Sequence, residues 1–265
     1  MLKLSLEQKM AELRTERDGL QRLIFEGAQV QRKLTAPRYL RRGEFEIAGE
    51  IFPVRQVSGD FLATFDVGSY VMLAIGDIAG KGLAAGMWFT HIVGLVRMLA
   101  VSLPDPAAVL DAINNHLVTL QPEPPTATLF LGRLDPATGE LLYCNGGHPA
   151  PLVLQARDRL EWLEAGGPLL GVVPNAQFKP AEAILNPEDV LIAYSDGVLE
   201  SCNCAGEFFG RERLLRAACA AERTSVHSLL FTVLAAAQDF AGREPGADDI
   251  AMLAVRHFAE GISGD

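Results

Sequence analysis

The stretch from Ser69 to Gly86, SYVMLAIGDIAGKGLAAG, constrains the fold of this chain more than any other. Its apolar run over residues 70–75 predicts a buried strand that ends at Gly76-Asp77. The small residues 79–82 that follow predict a turn into a long apolar helix. An acidic residue at the end of a strand, beside glycines that let backbone come close, is typical of a site that holds a charged group.

Aspartates occur in the same kind of place at three further points of the chain. Asp60 begins a strand pattern, Asp196 follows one, and Asp248 and Asp249 immediately precede the last apolar run. Any one of them could be an ordinary turn or cap residue, because aspartate favours such positions. Four strand ends that each carry an aspartate together predict one acidic cleft.

The composition limits the class of protein. The chain has 265 residues, 49% of them hydrophobic, which is enough for one large domain with a sizeable core. Its net charge of −10 argues against nucleic acid as a partner. The run over residues 83–103 is apolar enough to span a membrane. His91 and Arg97 within it favour a buried core helix instead, so we expect no membrane partner.

The four cysteines include no CxxC pair, and no secretory signal stands before them. This pattern predicts reduced thiols and a cytoplasmic location. The tripeptide Cys202-Asn203-Cys204 could be a metal or redox pair, although a surface loop is the simpler interpretation.

The first 36 residues have a different pattern from the rest. Apolar side chains follow a heptad-like spacing, with polar or small residues at some of its positions; the apolar set is Leu6, Met10, Leu13, Leu20, Ile24 and Leu34, and the gaps are Arg17, Gly27 and Gln31. We predict an amphipathic, coiled-coil-like linker helix over residues 1–37, ended by Pro37, and a second domain over residues 38–265. The helix would pair with a second copy or contact a regulator. The alternative is a helix that lies on its own domain.

Short strand patterns with two pairs of helices make up the remainder and predict an α+β sandwich. The predicted strands are 46–52, 60–66, 70–75, 126–134, 140–144, 150–154, 159–163, 181–185, 189–194 and 250–256, and the predicted helices are 83–103, 105–120, 211–222 and 225–241.

Clustered carboxylates repel one another and hold protons unless a cation lies among them. Oxygen ligands suit Mg²⁺ or Mn²⁺ better than zinc, and two such ions that share an aspartate can activate a water and clamp a phosphate ester. The motifs of two other kinds of site are missing. The glycines around Lys81 lack the spacing of a nucleotide-binding P-loop, and no serine lies in the GxSxG elbow of a serine hydrolase.

Six motifs along residues 45–257 resemble those of the PP2C-type serine/threonine phosphatases, in the bacterial branch of sporulation protein E and the sigma-factor regulatory phosphatases. They are Val57-Ser58-Gly59-Asp60-Phe61, Gly76-Asp77-Ile78-Ala79-Gly80-Lys81-Gly82, Asn145-Gly146-Gly147-His148-Pro149, Tyr194-Ser195-Asp196-Gly197-Val198-Leu199-Glu200, Phe209-Gly210-Arg211-Glu212-Arg213-Leu214 and Asp248-Asp249-Ile250. The resemblance implies a four-layer α-β-β-α sandwich, in which helices flank two antiparallel sheets. It also implies two Mn²⁺ or Mg²⁺ ions in a cleft between the sheets, with a metal-activated water as nucleophile.

By motif position, the resemblance assigns catalytic roles to Asp60 and Asp77, with Asp77 bridging both ions. The implied metal ligands are Asp60, Asp77, the Ile78 carbonyl, Asp196, Asp248 and, as an additional candidate, Asp249. Ser58, Ala79 and Ser195 depart from the family's usual residues, and none of these changes removes a ligand. Arg55 and Lys81 are the cations near enough in sequence to contact phosphate, and His148 is a structural loop residue or a general acid.

Two functional hypotheses follow. The first is a protein phosphatase that acts on phosphoserine or phosphothreonine of a regulatory protein, with an anti-sigma-factor antagonist as the expected substrate. The second is a phosphatase fold kept as a non-catalytic binding module in a partner-switching complex. The helix before Pro37 resembles the linker that joins sensor domains to this phosphatase in its relatives and controls their dimerisation and activity. A separate regulator that binds this helix and a longer parent chain are both compatible with that resemblance.

Overall fold

The computed structural model describes residues 2–34, 39–120, 125–155, 159–222, 225–242, 246 and 248–258, with the side chains of the first helix described from residue 6 onward. The helices are α1 (Leu2–Leu34), α2 (Leu83–Ser102), α3 (Pro106–Leu117), α4 (Asp196–Leu199), α5 (Gly210–Ala220) and α6 (Val226–Ala241). The strands are β1 (Tyr39–Arg42), β2 (Phe45–Phe52), β3 (Phe61–Val67), β4 (Tyr70–Ile78), β5 (Ala127–Leu134), β6 (Glu140–Gly146), β7 (Leu152–Leu154), β8 (Leu160–Trp162), β9 (Gly166–Gly167), β10 (Ala181–Ile184), β11 (Val190–Tyr194) and β12 (Ile250–His257).

The strands form two sheets. The first has the order β1-β2-β12-β11-β7-β8, and the second has the order β10-β6-β5-β4-β3 with β9 beside β6. Neighbouring strands are antiparallel, except that β9 pairs with β6 in parallel through Asn145 and Gly166. The prediction of two purely antiparallel sheets is therefore wrong at this pair, because two glycines carry no strand pattern.

Three hydrophobic clusters in the described residues separate four layers. Helices α2 and α3 cover the second sheet, the two sheets face each other over a central cluster, and α4, α5 and α6 cover the first sheet. Buried apolar side chains on both faces of each sheet explain why strands such as β4 and β11 read as continuous apolar runs. The predicted α+β, four-layer sandwich is confirmed.

Of the helices in the described part of the chain, α2 alone is long and apolar enough to cross a bilayer. In this fold it packs on the second sheet through seven buried residues, which include Phe89, Ile92 and Val96. Burial against β3 and β4 accounts for the apolar face of the helix, as the core-helix prediction requires.

Helix α1 meets the rest of the fold near its end. Ala28 and Gln31 are 2% and 6% exposed, whereas residues 6–27 are exposed along their whole length. Gln31 was predicted to interrupt a coiled-coil seam, and the structure corrects this: its amide bonds the backbone of Ser58 in both directions, with Nε2 donating to the carbonyl at 2.7 Å and Oε1 accepting from the N–H at 3.1 Å. The alternative of a helix lying wholly on its own domain fails for residues 6–27. Pro37 lies outside the described residues.

Candidate metal centre

Strand β4 carries Asp77 inside the sheet. The strand continues to Ile78, beyond the predicted end at Gly76-Asp77, and pairs Asp77 with Thr128 of β5. The Asp77 N–H donates to the Thr128 hydroxyl at 3.2 Å. The strand and the neighbouring hydroxyl both hold the Asp77 backbone. The position from which its carboxyl extends, at the edge of the cleft, is therefore fixed.

Asp60 is the most buried of the candidate acids, with 2% of its surface exposed. It precedes β3 in the second sheet, and the Ser195 hydroxyl from the first sheet donates to its Oδ2 at 2.6 Å. The Ser195 oxygen also accepts from the Ala251 N–H at 2.9 Å. Ser195 therefore ties Asp60 to β12 across the two sheets. Nothing in the sequence indicates this role of Ser195 apart from its place next to Asp196.

The glycine before Asp60 lets two candidate ligands approach the same loop. A Cβ added to Gly59 would lie 3.1 Å from the Ile78 carbonyl oxygen and 3.2 Å from Oδ1 of Asp77. Both contacts are tighter than real Cβ atoms normally make, so a side chain here would push Asp77 and Ile78 away. The loop before β3 and the end of β4 therefore converge at this point.

Asp196 and Asp248 enter the cleft from the first sheet. Asp196 begins α4 directly after β11, and a Cβ on the following Gly197 would lie 2.0 Å from the Asp249 carbonyl oxygen. This close approach requires glycine and brings the start of α4 against the residues before β12. The Nζ of Lys81 donates to Oδ2 of Asp248 at 2.8 Å.

Asp249 has a different environment from the other acids. Its Oδ1 accepts from the Val54 N–H at 2.7 Å, and its Oδ2 accepts from the Ser58 hydroxyl at 2.8 Å and the Gly59 N–H at 3.0 Å. Three hydrogen bonds to one loop engage both carboxylate oxygens. The structure thus shows Asp249 holding the loop that leads to Asp60, a role that its neighbour Asp248 does not share.

The carboxyls lie close enough to change one another's protonation. The pKa of Asp60 is raised to about 9 by burial and by the surrounding carboxylates, Asp77 first, although the Ser195 hydrogen bond lowers it. Burial and the Asp196 carboxylate raise the pKa of Asp77 to about 6, while a hydrogen bond with Asp60 lowers it. Burial and the Asp248 carboxylate raise the pKa of Asp196. Desolvation and like charge therefore both favour the protonated acids in the absence of a cation.

These oxygen donors fit a hard divalent cation. A positive ion among Asp60, Asp77 and Asp196 would offset the repulsion that raises their pKa values, and an all-oxygen set suits Mg²⁺ or Mn²⁺. No three acidic, histidine or cysteine side chains in the described ranges already stand around one ion position. The Asp248 carboxylate is paired with the Lys81 ammonium.

Two cavities adjoin the cleft. One of about 410 Å³ is lined by residues that include Lys81, Asp248, Glu200 and Cys202. The other, of about 260 Å³, includes Arg55 beside Lys81 and Asp248 in its wall. Arg55 and Lys81, the two cationic side chains predicted to contact phosphate, therefore border the space beside the acids. The four cysteines are free thiols, and Cys202 lines a cavity while Cys204 is exposed.

Comparison with protein families gives one match over most of the chain. The family model described as Stage II sporulation protein E (SpoIIE) matches residues 68–258, a range that includes Asp77, Asp196, Asp248 and Asp249. Asp60 lies before the matched range.

Two curated proteins illustrate the sequence similarity. Protein IcfG of Synechocystis is 28% identical over 273 residues, which is 90% of this chain and 42% of that protein. Phosphoserine phosphatase RsbU of Bacillus subtilis is 25% identical over 192 residues, which is 71% of this chain and 56% of that protein. The chain thus spans about half the length of the curated relatives it matches.

Solved structures confirm the fold. The SiaA-PP2C domain of Pseudomonas aeruginosa superposes with a TM-score of 0.76 at 18% identity, over 91% of this chain and 98% of that one. The PP2C phosphatase domain of SpoIIE from Bacillus subtilis, solved with a fragment of its regulatory domain, gives a TM-score of 0.70 at 17% identity, over 83% and 64% of the two chains.

Proposed function

Since this chain belongs to the stage II sporulation protein E (SpoIIE) family, we propose that it is a metal-dependent protein serine/threonine phosphatase. The observation that carries the proposal is the meeting of Asp60, Asp77 and Asp196, from both sheets, at one place where burial and like charge raise their pKa values. Such a cluster costs stability unless it binds a cation.

We assign the metal ligands as Asp60, Asp77, the Ile78 carbonyl, Asp196 and Asp248, for two Mn²⁺ or Mg²⁺ ions. Bound there, the cations would lower the pKa of a water between them and neutralise charge on the phosphate oxygens. Asp77 is the proposed bridging carboxylate. Ser195 orients Asp60 through its hydroxyl. Gly59 has no side chain, so Asp77 and Ile78 can approach the loop that carries Asp60. Asp249, an additional ligand candidate by motif, is proposed here to hold that loop.

The proposed substrate is a phosphoserine or phosphothreonine of a regulatory protein, and we propose an anti-sigma-factor antagonist in a cytoplasmic partner-switching system. Two relatives from Bacillus subtilis, RsbU and RsbP, are named phosphoserine phosphatases, which supports this substrate class. Exposed Lys81, next to Asp248 at the mouth of the cleft, is a cation that an incoming phosphate would meet.

We further propose that residues 1–37 are a linker helix and that residues 38–265 form the phosphatase domain. The support is the exposed apolar surface of α1, in which Leu13 and Leu20 are each 56% exposed. An apolar stripe of this kind suits a second copy of the helix or a regulator.

Phosphate release from p-nitrophenyl phosphate and from a phosphoserine peptide, with Mn²⁺ or with EDTA, tests the proposal. We expect turnover of both compounds with Mn²⁺ and none with EDTA, and little turnover of a matched phosphotyrosine peptide. Binding of the phosphoserine peptide without hydrolysis in the presence of Mn²⁺ would contradict the enzyme and favour the non-catalytic binding module.

A further inference from the structure

The loop between β6 and β7 holds a histidine in a fixed orientation inside the fold. Oδ1 of Asn145 accepts from the His148 N–H at 2.8 Å, and Nδ2 of Asn145 donates to the His148 carbonyl at 3.0 Å. Asn145 and His148 are 4% and 5% exposed. The asparagine holds the His148 backbone, and the burial of the side chain leaves the imidazole little room to leave its position.

The ring contacts the hydroxyl that holds Asp77. Nδ1 of His148 lies 2.9 Å from Oγ1 of Thr128, and the same Oγ1 accepts from the Asp77 N–H at 3.2 Å. The other ring nitrogen, Nε2, is buried and makes no hydrogen bond of ordinary geometry within the described residues. A backbone acceptor at Tyr194, two residues before Asp196, acts on the ring and raises the imidazole pKa, against the larger effect of burial.

These neighbours select one tautomer of the ring. With the proton on Nε2, Nδ1 accepts from the Thr128 hydroxyl, which leaves the hydroxyl's lone pairs to the Asp77 N–H. With the proton on Nδ1, the ring would donate to the Thr128 oxygen, and the threonine proton would lose its acceptor. A buried hydroxyl proton without an acceptor costs free energy, and the Tyr194 acceptor favours a proton on the ring nitrogen that Thr128 does not engage, so the Nε2–H form is favoured.

We propose that His148, as the Nε2–H tautomer, is a positioning residue for the metal centre, and that it acts on Asp77 through the Thr128 hydroxyl. This inference rests on the proposed function, because it concerns the metal ligand Asp77. The hydroxyl is oriented by His148, the Asp77 backbone is oriented by the hydroxyl, and the carboxyl keeps the direction that a bridging ligand needs.

A role as general acid does not suit this histidine. Burial lowers the pKa of the His148 imidazole to about 3, so the ring is neutral at neutral pH. A neutral ring that already serves Thr128 with one nitrogen orients its neighbours and does not supply a proton to a leaving group.

Thr128→Val tests the hydroxyl, with two matched variants. Thr128→Ser keeps the hydroxyl, and Thr64→Val makes the same change at a residue of the same sheet whose buried Oγ1 has no hydrogen-bond partner in the described residues. Calorimetric titration with Mn²⁺ and no substrate gives the Kd, and melting in EDTA reports folding. We expect Thr128→Val to weaken Mn²⁺ binding about tenfold, with Thr128→Ser and Thr64→Val near the wild type.

Two amide substitutions of His148 test whether its ring supplies the acceptor for the Thr128 hydroxyl. His148→Asn places an acceptor where Nδ1 lies and should bind Mn²⁺ more tightly than His148→Gln, which loses that acceptor. If the hydroxyl and the ring act in one chain, Thr128→Val combined with His148→Gln should weaken binding no more than either change alone. Nitrogen-15 NMR of the wild-type imidazole should show the proton on Nε2, which needs no variant to fold.

Each contrary outcome identifies what has failed. Equal Mn²⁺ affinity of Thr128→Val and the wild type, additive losses in the double variant, or a proton on Nδ1 would overturn the positioning role. If the wild type itself binds no Mn²⁺, the proposed function fails, and the NMR result still decides the tautomer.

Discussion

Nζ of Lys81 lies 2.8 Å from Oδ2 of Asp248, so the chain itself supplies a cation to one of its proposed metal ligands. The turn after β4 provides Lys81, and the segment before β12 provides Asp248, which places the pair at the opening of the cleft. The side chains are 49% and 41% exposed. An ion pair this exposed contributes at most about 1 kcal/mol, so a divalent cation can displace the lysine.

Lys81→Gln should therefore tighten Mn²⁺ binding by about threefold, because Mn²⁺ no longer has to displace the Lys81 ammonium from Asp248. Calorimetric titration with Mn²⁺ at fixed pH and ionic strength measures the change. Arg55→Gln is the matched control, since it removes the same charge from the wall of the same cavity. An equal gain in Mn²⁺ affinity in Arg55→Gln would mean that the positive charge near the site weakens Mn²⁺ binding and that the ion pair itself does not.

The metal-free protein should lose stability as the pH rises. The pKa values of Asp60 and Asp77 are raised to about 9 and about 6 in the fold, against 3.8 in the unfolded chain, so the folded state keeps protons that the unfolded chain releases. The free energy of unfolding therefore falls from about pH 4 upward, until about pH 6 for Asp77 and about pH 9 for Asp60. Melting temperatures in EDTA at pH 5 and pH 8 measure the fall.

Asp60→Asn is the control for this pH dependence, because the amide cannot titrate. Its melting temperature in EDTA should fall less between pH 5 and pH 8 than that of the wild type. An identical fall in both proteins would show that Asp60 does not hold a proton in the fold.

Mn²⁺ should raise the melting temperature, since a ligand that binds the folded state alone stabilises it. Asp196→Ala should remove most of this response, because it deletes one carboxylate of the proposed site. Asp135→Ala is the control: Asp135 bonds the Ala137 N–H in the turn between β5 and β6, so its loss should lower the melting temperature and leave the response to Mn²⁺ unchanged. A wild-type melt that is the same in Mn²⁺ and EDTA would contradict the site.

Local patterns in the sequence predicted the α+β sandwich and the converging acids, and the family resemblance supplied the four layers. Apolar runs mark β4 and β11, and an aspartate beside glycine marks the ends of strands. The roles of Ser195 and Thr128 were beyond prediction, since a single hydroxyl acquires its role from partners far along the chain.

The position of Gln31 likewise depends on a tertiary contact that local spacing does not reveal. Its spacing in α1 fitted a coiled-coil seam, and only the tertiary structure places it against Ser58. Strand β1 was missed for a related reason: its four residues, two of them arginines, owe their conformation to the pairing with β2.

Helix α1 should support a weak, concentration-dependent dimer. Leu13→Asp combined with Leu20→Asp should leave a folded monomer, because two charges on the exposed apolar stripe oppose pairing. Turnover of p-nitrophenyl phosphate should persist, since the proposed ligands all lie after residue 37. Sedimentation across a concentration series measures the association.

Gln8→Asp combined with Thr15→Asp is the control for the helix variant. These two exposed positions are also seven residues apart, but they lie off the stripe, so the dimer should remain. If the wild type sediments as a monomer at every concentration, the α1 surface does not pair with a second copy.

Phosphate release by Asp77→Asn at saturating Mn²⁺ tests whether Asp77 is the bridging carboxylate of the proposed metal centre. We expect kcat to fall about a thousandfold relative to the wild type, because an amide cannot replace a bridging carboxylate, and circular dichroism should show a folded protein. Asp135→Asn, the same change outside the cleft, should keep wild-type turnover. Near-normal Mn²⁺-dependent turnover by Asp77→Asn would mean that the reaction does not depend on a metal-bridging Asp77.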